Sequence, residues 1–85
     1  MEVPTKLLIE FLDKKGFARR ASDPFSYTYV RGKIAISFDC ESPTFDISLL
    51  KADMERQKEL ERVVADKFFD ELLGYIQQAE NSGNT

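Results

Sequence analysis

Two pairs of carboxylates stand four residues apart, Glu55 with Glu59 and Asp66 with Asp70. On a helix that spacing puts both members on one face, where general acid–base work would need one of them desolvated and its proton affinity displaced. Nothing flanking either pair is apolar enough for that, so both read as solvated side chains. The chain has no His, which removes the commonest base near neutral pH and the commonest transition-metal ligand. Ser22, Ser26 and Ser37 therefore lack an activating imidazole, and no zinc or haem site is expected. Gly16, Gly32, Gly74 and Gly83 are isolated from one another, so no glycine-rich phosphate cradle is present. Cys40 is the only thiol; it excludes an intrachain disulfide, reads as a small buried apolar residue, and fits a reducing cytoplasm. The expectation is a protein without cofactor, metal or catalytic residue.

Charge points to binding instead. Residues 1–40 carry seven basic side chains against five acidic ones, a balance of +2, and residues 41–85 carry five against ten, a balance of −5. Such a dipole acts on encounter with charged partners more than on folding. Two candidate surfaces follow. One is basic: Lys14, Lys15, Arg19, Arg20, Arg31 and Lys33. The other lies in the charged stretch before residue 63: Asp53, Met54, Glu55, Glu59, Leu60 and Arg62.

These residues must be held by a very small fold. With 85 residues, 42% of them hydrophobic, the chain has room for one core and one domain, read as 1–79 with a flexible tail over 80–85. Leu7, Leu8, Phe11 and Leu12 fall on one arc at helical spacing, and Gly16 follows two lysines, so a helix is expected over 4–15. From residue 17 to 48 the period changes to two. Phe25, Tyr27 and Tyr29 alternate with small or polar residues, as do Ile34, Ile36 and Phe38, and a two-residue turn within Arg31–Lys33 sets both apolar rows on the same side. At the next corner, Glu41-Ser42-Pro43-Thr44 supplies a turn that would oppose Cys40 to Phe45 and Phe38 to Ile47, giving a third strand over 44–48. Residues 17–22 offer an optional fourth, edge strand. Opposite the aromatic row lies a polar, nearly uncharged sheet face that includes Ser26, Thr28, Ser37 and Asp46.

After Leu49 the composition is strongly helical and free of Pro and Gly as far as Gly74. A helix from 49 to 78 would be ~45 Å long at 1.5 Å per residue, against ~20 Å for a six-residue strand. Either it breaks near Arg56 to Lys58, or its first half projects and meets a partner. Within its second half, Val64, Ala65, Phe68, Leu72, Tyr75, Ile76 and Ala79 form the core-facing arc, with Phe69 expected to be partly exposed. The whole is an α+β fold of order α-β-β-β-α, an antiparallel meander with both helices on one face. No sustained heptad favours a coiled coil. The N-terminal segment shows no basic leader and Leu7-Leu8-Ile9 is too short an apolar run for a membrane span, so an untargeted chain is expected.

An α-β-β-β-α order resembles that of the double-stranded RNA-binding domain, with its amphipathic first helix, three strands and Ala-containing last helix. That family sets lysines at the start of its last helix to hold phosphates. Here the matching stretch is Lys51-Ala52-Asp53-Met54-Glu55, whose two acids stand where phosphates would lie, so no binding residue is carried over.

The leading expectation is a non-catalytic protein–protein interaction module, in the manner of the small acidic inhibitors or modulators of phages and mobile elements, occupying a basic groove on a larger protein such as one that binds nucleic acid. The alternative is a nucleic-acid-binding module using the N-terminal basic cluster. A homodimer is a third possibility.

Overall fold

The computed structural model describes residues 1–39 and 41–83; Cys40, whose burial the sequence suggests, lies outside them. Eight elements follow in order: β1 (Glu2–Pro4), α1 (Thr5–Lys14), β2 (Ala18–Asp23), β3 (Ser26–Arg31), β4 (Ile34–Asp39), β5 (Thr44–Asp46), α2 (Ile47–Glu55) and α3 (Arg62–Gly83). The protein is α+β, with one three-stranded antiparallel sheet in the order β2-β3-β4 and a second, two-stranded sheet, β1-β5.

The central ribbon has the register that alternation dictates. Arg31 pairs with Ile34, Tyr29 with Ile36 and Tyr27 with Phe38. Gly32 takes the first turn position with φ of 60°, the left-handed conformation that a two-residue hairpin demands there and that glycine adopts without a Cβ penalty. Tyr29 and Phe38 stack at 5.8 Å, and Tyr27 meets Phe38 edge-on at 6.0 Å. On the other face Thr28 and Ser37 share a hydrogen bond of 3.0 Å. Residues 18–23 do form the edge strand, with Ala18 opposite Val30 and Arg20 opposite Thr28. Phe25 departs from the aromatic row. It precedes β3, in the turn, and is 63% exposed.

The segment after residue 43 corrects the expected meander. β5 does not pair with β4; it pairs with the chain's start, setting Val3 opposite Phe45, both buried. Flanking bonds clamp this small sheet: Ile47 N–H donates to the Met1 carbonyl at 3.0 Å and Thr5 N–H to that of Pro43 at 3.0 Å. Ile47 does not face Phe38 across a ladder, because it opens α2. The cause is Asp46, whose carboxylate accepts the Ser48 N–H at 2.9 Å and caps the helix.

The long helix breaks where it had to. α2 ends at Glu55, and residues 56–61 form a tight connection in which Gln57 N–H donates to the Met54 carbonyl and Leu60 N–H to that of Gln57. The break lets α2 bury Ile47, Leu50 and Met54 while α3 takes its own direction. On α3 the buried row is Ala65, Phe69, Leu72 and Ile76, spaced by three and four as one helical face requires. Phe69 is therefore the core ring and Phe68 the half-buried one, reversing the expected roles, and Val64 is exposed rather than buried. Helix α3 also continues to Gly83, past the expected start of a tail at residue 80. α1 contributes Leu8, Phe11 and Leu12, and all these residues join Tyr29, Ile36 and Phe38 in one core. The helices thus cover the aromatic face of the β2-β3-β4 sheet.

Candidate functional site

Where α1 ends, the β3–β4 hairpin and the start of α3 come together and leave a cleft of about 300 Å³. Its floor is apolar, built from Phe17, Ile34, Met54 and Phe68, and its rim is charged, with Lys15, Arg31, Lys67 and Glu71. Val64 lines it at 45% exposure, and the adjacent Val63 is 74% exposed. Val64 leaves apolar area uncovered at the edge of the cleft, and Val63 adds more one helical step away on the same turn of α3.

Each rim residue is placed by a local cause. Gly16, with φ of 83°, terminates α1 in the left-handed conformation and turns the chain into Phe17. Arg31 Nη1 donates to the Lys15 carbonyl at 2.6 Å and its guanidinium lies 5.2 Å from the centre of the Phe17 ring. A cation there meets the negative end of the α1 dipole and the face of an aromatic ring together. Lys15 Nζ reaches Glu71 at 2.9 Å. Its hydrogen bond and charge, with Lys67 and Arg31 adding to them, hold the Glu71 carboxyl below its ordinary value. Glu71 is thus kept ionised and is poorly suited to give or take a proton near neutrality. Against three cations it is the only acid on the rim, so the cleft is electropositive on a chain whose net charge is −3.

Beyond the Lys15–Glu71 pair a second, more open hollow of about 430 Å³ continues along α1 and α3. There Lys14 Nζ sits 5.0 Å from the centre of the Tyr75 ring. The Tyr75 hydroxyl donates to Glu10 at 3.2 Å; burial first, then this carboxylate, raises its pKa.

Of the basic candidates, Lys15 and Arg31 thus share the cleft, joined by Lys67, which sequence reasoning missed, while Lys14 lines the adjoining hollow. Lys67 lies one helical turn from Glu71 on α3, and no local pattern links that turn to the hairpin. The others are dispersed. Arg19 lies over the Tyr27 ring at 4.1 Å, Arg20 follows it on the opposite face of β2, and Lys33 pairs with Glu59 at 3.4 Å.

The second candidate set does not form one exposed surface. Met54 is 1% exposed and belongs to the core, which corrects its expected role in partner contact. Leu60 is half-buried and packs against the same core. Asp53 pairs with Arg56 at 3.7 Å and Glu59 with Lys33, while Glu55 and Arg62 remain exposed. Between residues 53 and 62 four acids alternate with three bases, so the stretch is nearly neutral. Lys51 and Asp66 join α2 to α3 at 2.5 Å. That bond lowers the Asp66 pKa and raises that of Lys51.

Among the described residues no group of three or more acidic, His or Cys side chains could hold a metal ion, and no helix is long and apolar enough to cross a membrane. Comparison with protein-family models, curated proteins and solved structures finds no match.

Proposed function

We propose that this chain is a non-catalytic protein-interaction module whose cleft at the start of α3 takes an acidic segment of another protein carrying an apolar side chain. The observation that carries this reading is the pairing of uncovered apolar area at Val63 and Val64 with the three-to-one excess of cations around an apolar floor. An aliphatic or aromatic tip would remove Val64 and the exposed parts of Ile34 and Phe68 from water. Carboxylates beside it would meet Lys67, Lys15 and Arg31, giving direction and encounter rate more than raw affinity. This reading takes an acidic partner where composition suggested one with a basic surface; what supports the change is that the charged stretch before α3 pairs its own acids and bases and is nearly neutral. A reducing, cytoplasmic location accords with the single thiol.

Selection from a random displayed-peptide library tests this. Enriched sequences are expected to carry one large apolar residue flanked by Asp or Glu, and their binding should fall at least about tenfold in Lys67→Glu and Val64→Asp. Enrichment of basic or purely polar peptides, or binders indifferent to both substitutions, would count against the cleft.

The gathering of Lys14, Lys15 and Arg31 supports a second reading, contact with nucleic-acid phosphates. Retention of a short duplex at low salt, lost steeply as salt is added and lost in Lys14→Glu, would favour it.

A further inference from the structure

In the order β2-β3-β4 the last strand is an edge, a row of backbone groups able to pair with another chain. On this edge the connection between α2 and α3 does something specific. Gln57 Nε2 donates to the Ala35 carbonyl at 2.6 Å, and the Ala35 N–H donates to Gln57 Oε1 at 3.3 Å. One primary amide therefore makes both bonds that the opposite residue of an antiparallel neighbouring strand would make. Two residues on, Glu59 meets Lys33 at 3.4 Å. The side chains thus stand in the order an antiparallel neighbour would take, Gln57 at Ala35 and Glu59 at Lys33.

The strand that this segment imitates is in the sequence. Alternation puts the outward N–H and C=O groups of β4 on Ala35, Ser37 and Asp39. Two copies of β4 set antiparallel about Ile36 would pair Ala35 with the partner's Ser37, both outward-pointing, as a hydrogen-bonded pair requires. The same register sets Lys33 opposite the partner's Asp39, Ile34 opposite the partner's Phe38, and Ile36 opposite the partner's Ile36. Unlike charges meet at both ends and apolar residues meet on the core-facing side, so the strand is complementary to itself. Gln57 and Glu59 stand where the partner's Ser37 and Asp39 would stand, with the same spacing and in the same order.

We propose that the β4 edge is a homodimerisation surface, that its occupant is a second copy of β4 in the register centred on Ile36, and that Gln57 and Glu59 hold it closed by imitating that copy. A groove of about 240 Å³ separates Ala35, Ile36 and Ser37 from Leu50, Asp53 and Met54 of α2, so the last turn of α2 flanks the edge and must swing aside with the connection for the exchange. Displacing the connection exchanges two exposed side-chain bonds at Ala35 for backbone bonds, and the Lys33–Glu59 pair for an intermolecular pair. Each copy gives up as many contacts as it regains at these positions, so the equilibrium is set by the latch.

Sedimentation equilibrium on the full chain tests this, with circular dichroism establishing that each variant is folded. Gln57→Ala is expected to self-associate about tenfold more tightly than wild type, and Gln57→Glu, which keeps the acceptor but loses the donor, by less. In the Gln57→Ala background, Asp39→Lys should weaken the dimer about tenfold, and adding Lys33→Asp should restore it. Amide exchange at Ser37 and Asp39 should slow as Gln57→Ala is concentrated. A folded Gln57→Ala that associates no more than wild type overturns the latch; a dimer indifferent to Asp39→Lys, or not restored by the double exchange, overturns the register.

Discussion

The cleft at the start of α3 and the edge of β4 are built partly from the same residues, since Met54 lines both, yet they stand in opposite conditions. At the cleft, apolar area is uncovered and cations outnumber acids. At the edge, each polar group that a neighbour would use at Ala35 and Lys33 is already met from within the chain. A surface with unspent charge and exposed valines suits a molecule of different composition. One satisfied by a segment resembling itself suits a second copy, and only after that segment moves. The difference teaches that exposure alone does not rank surfaces; what already satisfies their groups does.

The largest expected effect removes what the two regions share. Met54→Ala deletes a fully buried side chain beneath both and should cost about 2–5 kcal/mol in denaturant unfolding, degrading peptide binding and dimerisation together; if only one suffers, the common floor is not common. Next, Gly32→Ala places a Cβ at a left-handed φ with nothing within 4 Å of it, so its cost is backbone alone, roughly 1–2 kcal/mol. That loss should speed exchange along β3 and β4 and leave α3, and hence Val64 and Lys67, in place.

Acid separates the regions further. Asp46, Asp66 and Glu71 all have folded-state pKa values below their ordinary ones, held by the Ser48 N–H, by Lys51 and by Lys15 respectively. A lowered folded value means stability that is complete above the ordinary carboxylate range and is lost as pH falls from that range through the lower folded-state values. Thermal unfolding followed from neutrality into acid should therefore show a falling midpoint, and Lys51→Ala should flatten that fall by removing the cause at Asp66. Protonating Glu71 also removes the one acid on the cleft's rim and makes the cleft more positive. The smallest effect on the fold belongs to Lys67→Glu, expected within about 0.5 kcal/mol of wild type although it should weaken recognition of an acidic segment at least about tenfold.

Much of the ribbon is legible in sequence because one face of β3 and β4 is buried, and a one-residue slip would turn Tyr29 and Ile36 into water. Helix α1 is legible for similar reasons, bounded by Pro4 and Gly16. Residues 44–47 mislead because Thr44-Phe45-Asp46-Ile47 alternates like a strand while Asp46 caps a helix, and a cap outranks alternation once Ser48 supplies its N–H. Strand β1 has three residues, too few for any period, and exists through its partner Phe45. The roles of Phe68 and Phe69 differ by one helical step, 100° of rotation, which composition cannot fix until the break at 56–61 sets where α3 begins. The cleft needed that break too: Lys67 and Val64 reach Arg31 only because α3 starts anew at Arg62, whereas Lys14, Lys15 and Arg31 were visible as basic residues around a turn.

Chemical-shift mapping with a selected acidic peptide tests the central claim most directly. Amide and methyl shifts should concentrate at Phe17, Arg31, Val64, Lys67 and Phe68, with the Thr28–Ser37 face of the sheet unmoved. Shifts centred on that polar face or on Arg19 and Arg20, with Val64 and Lys67 silent, would contradict it.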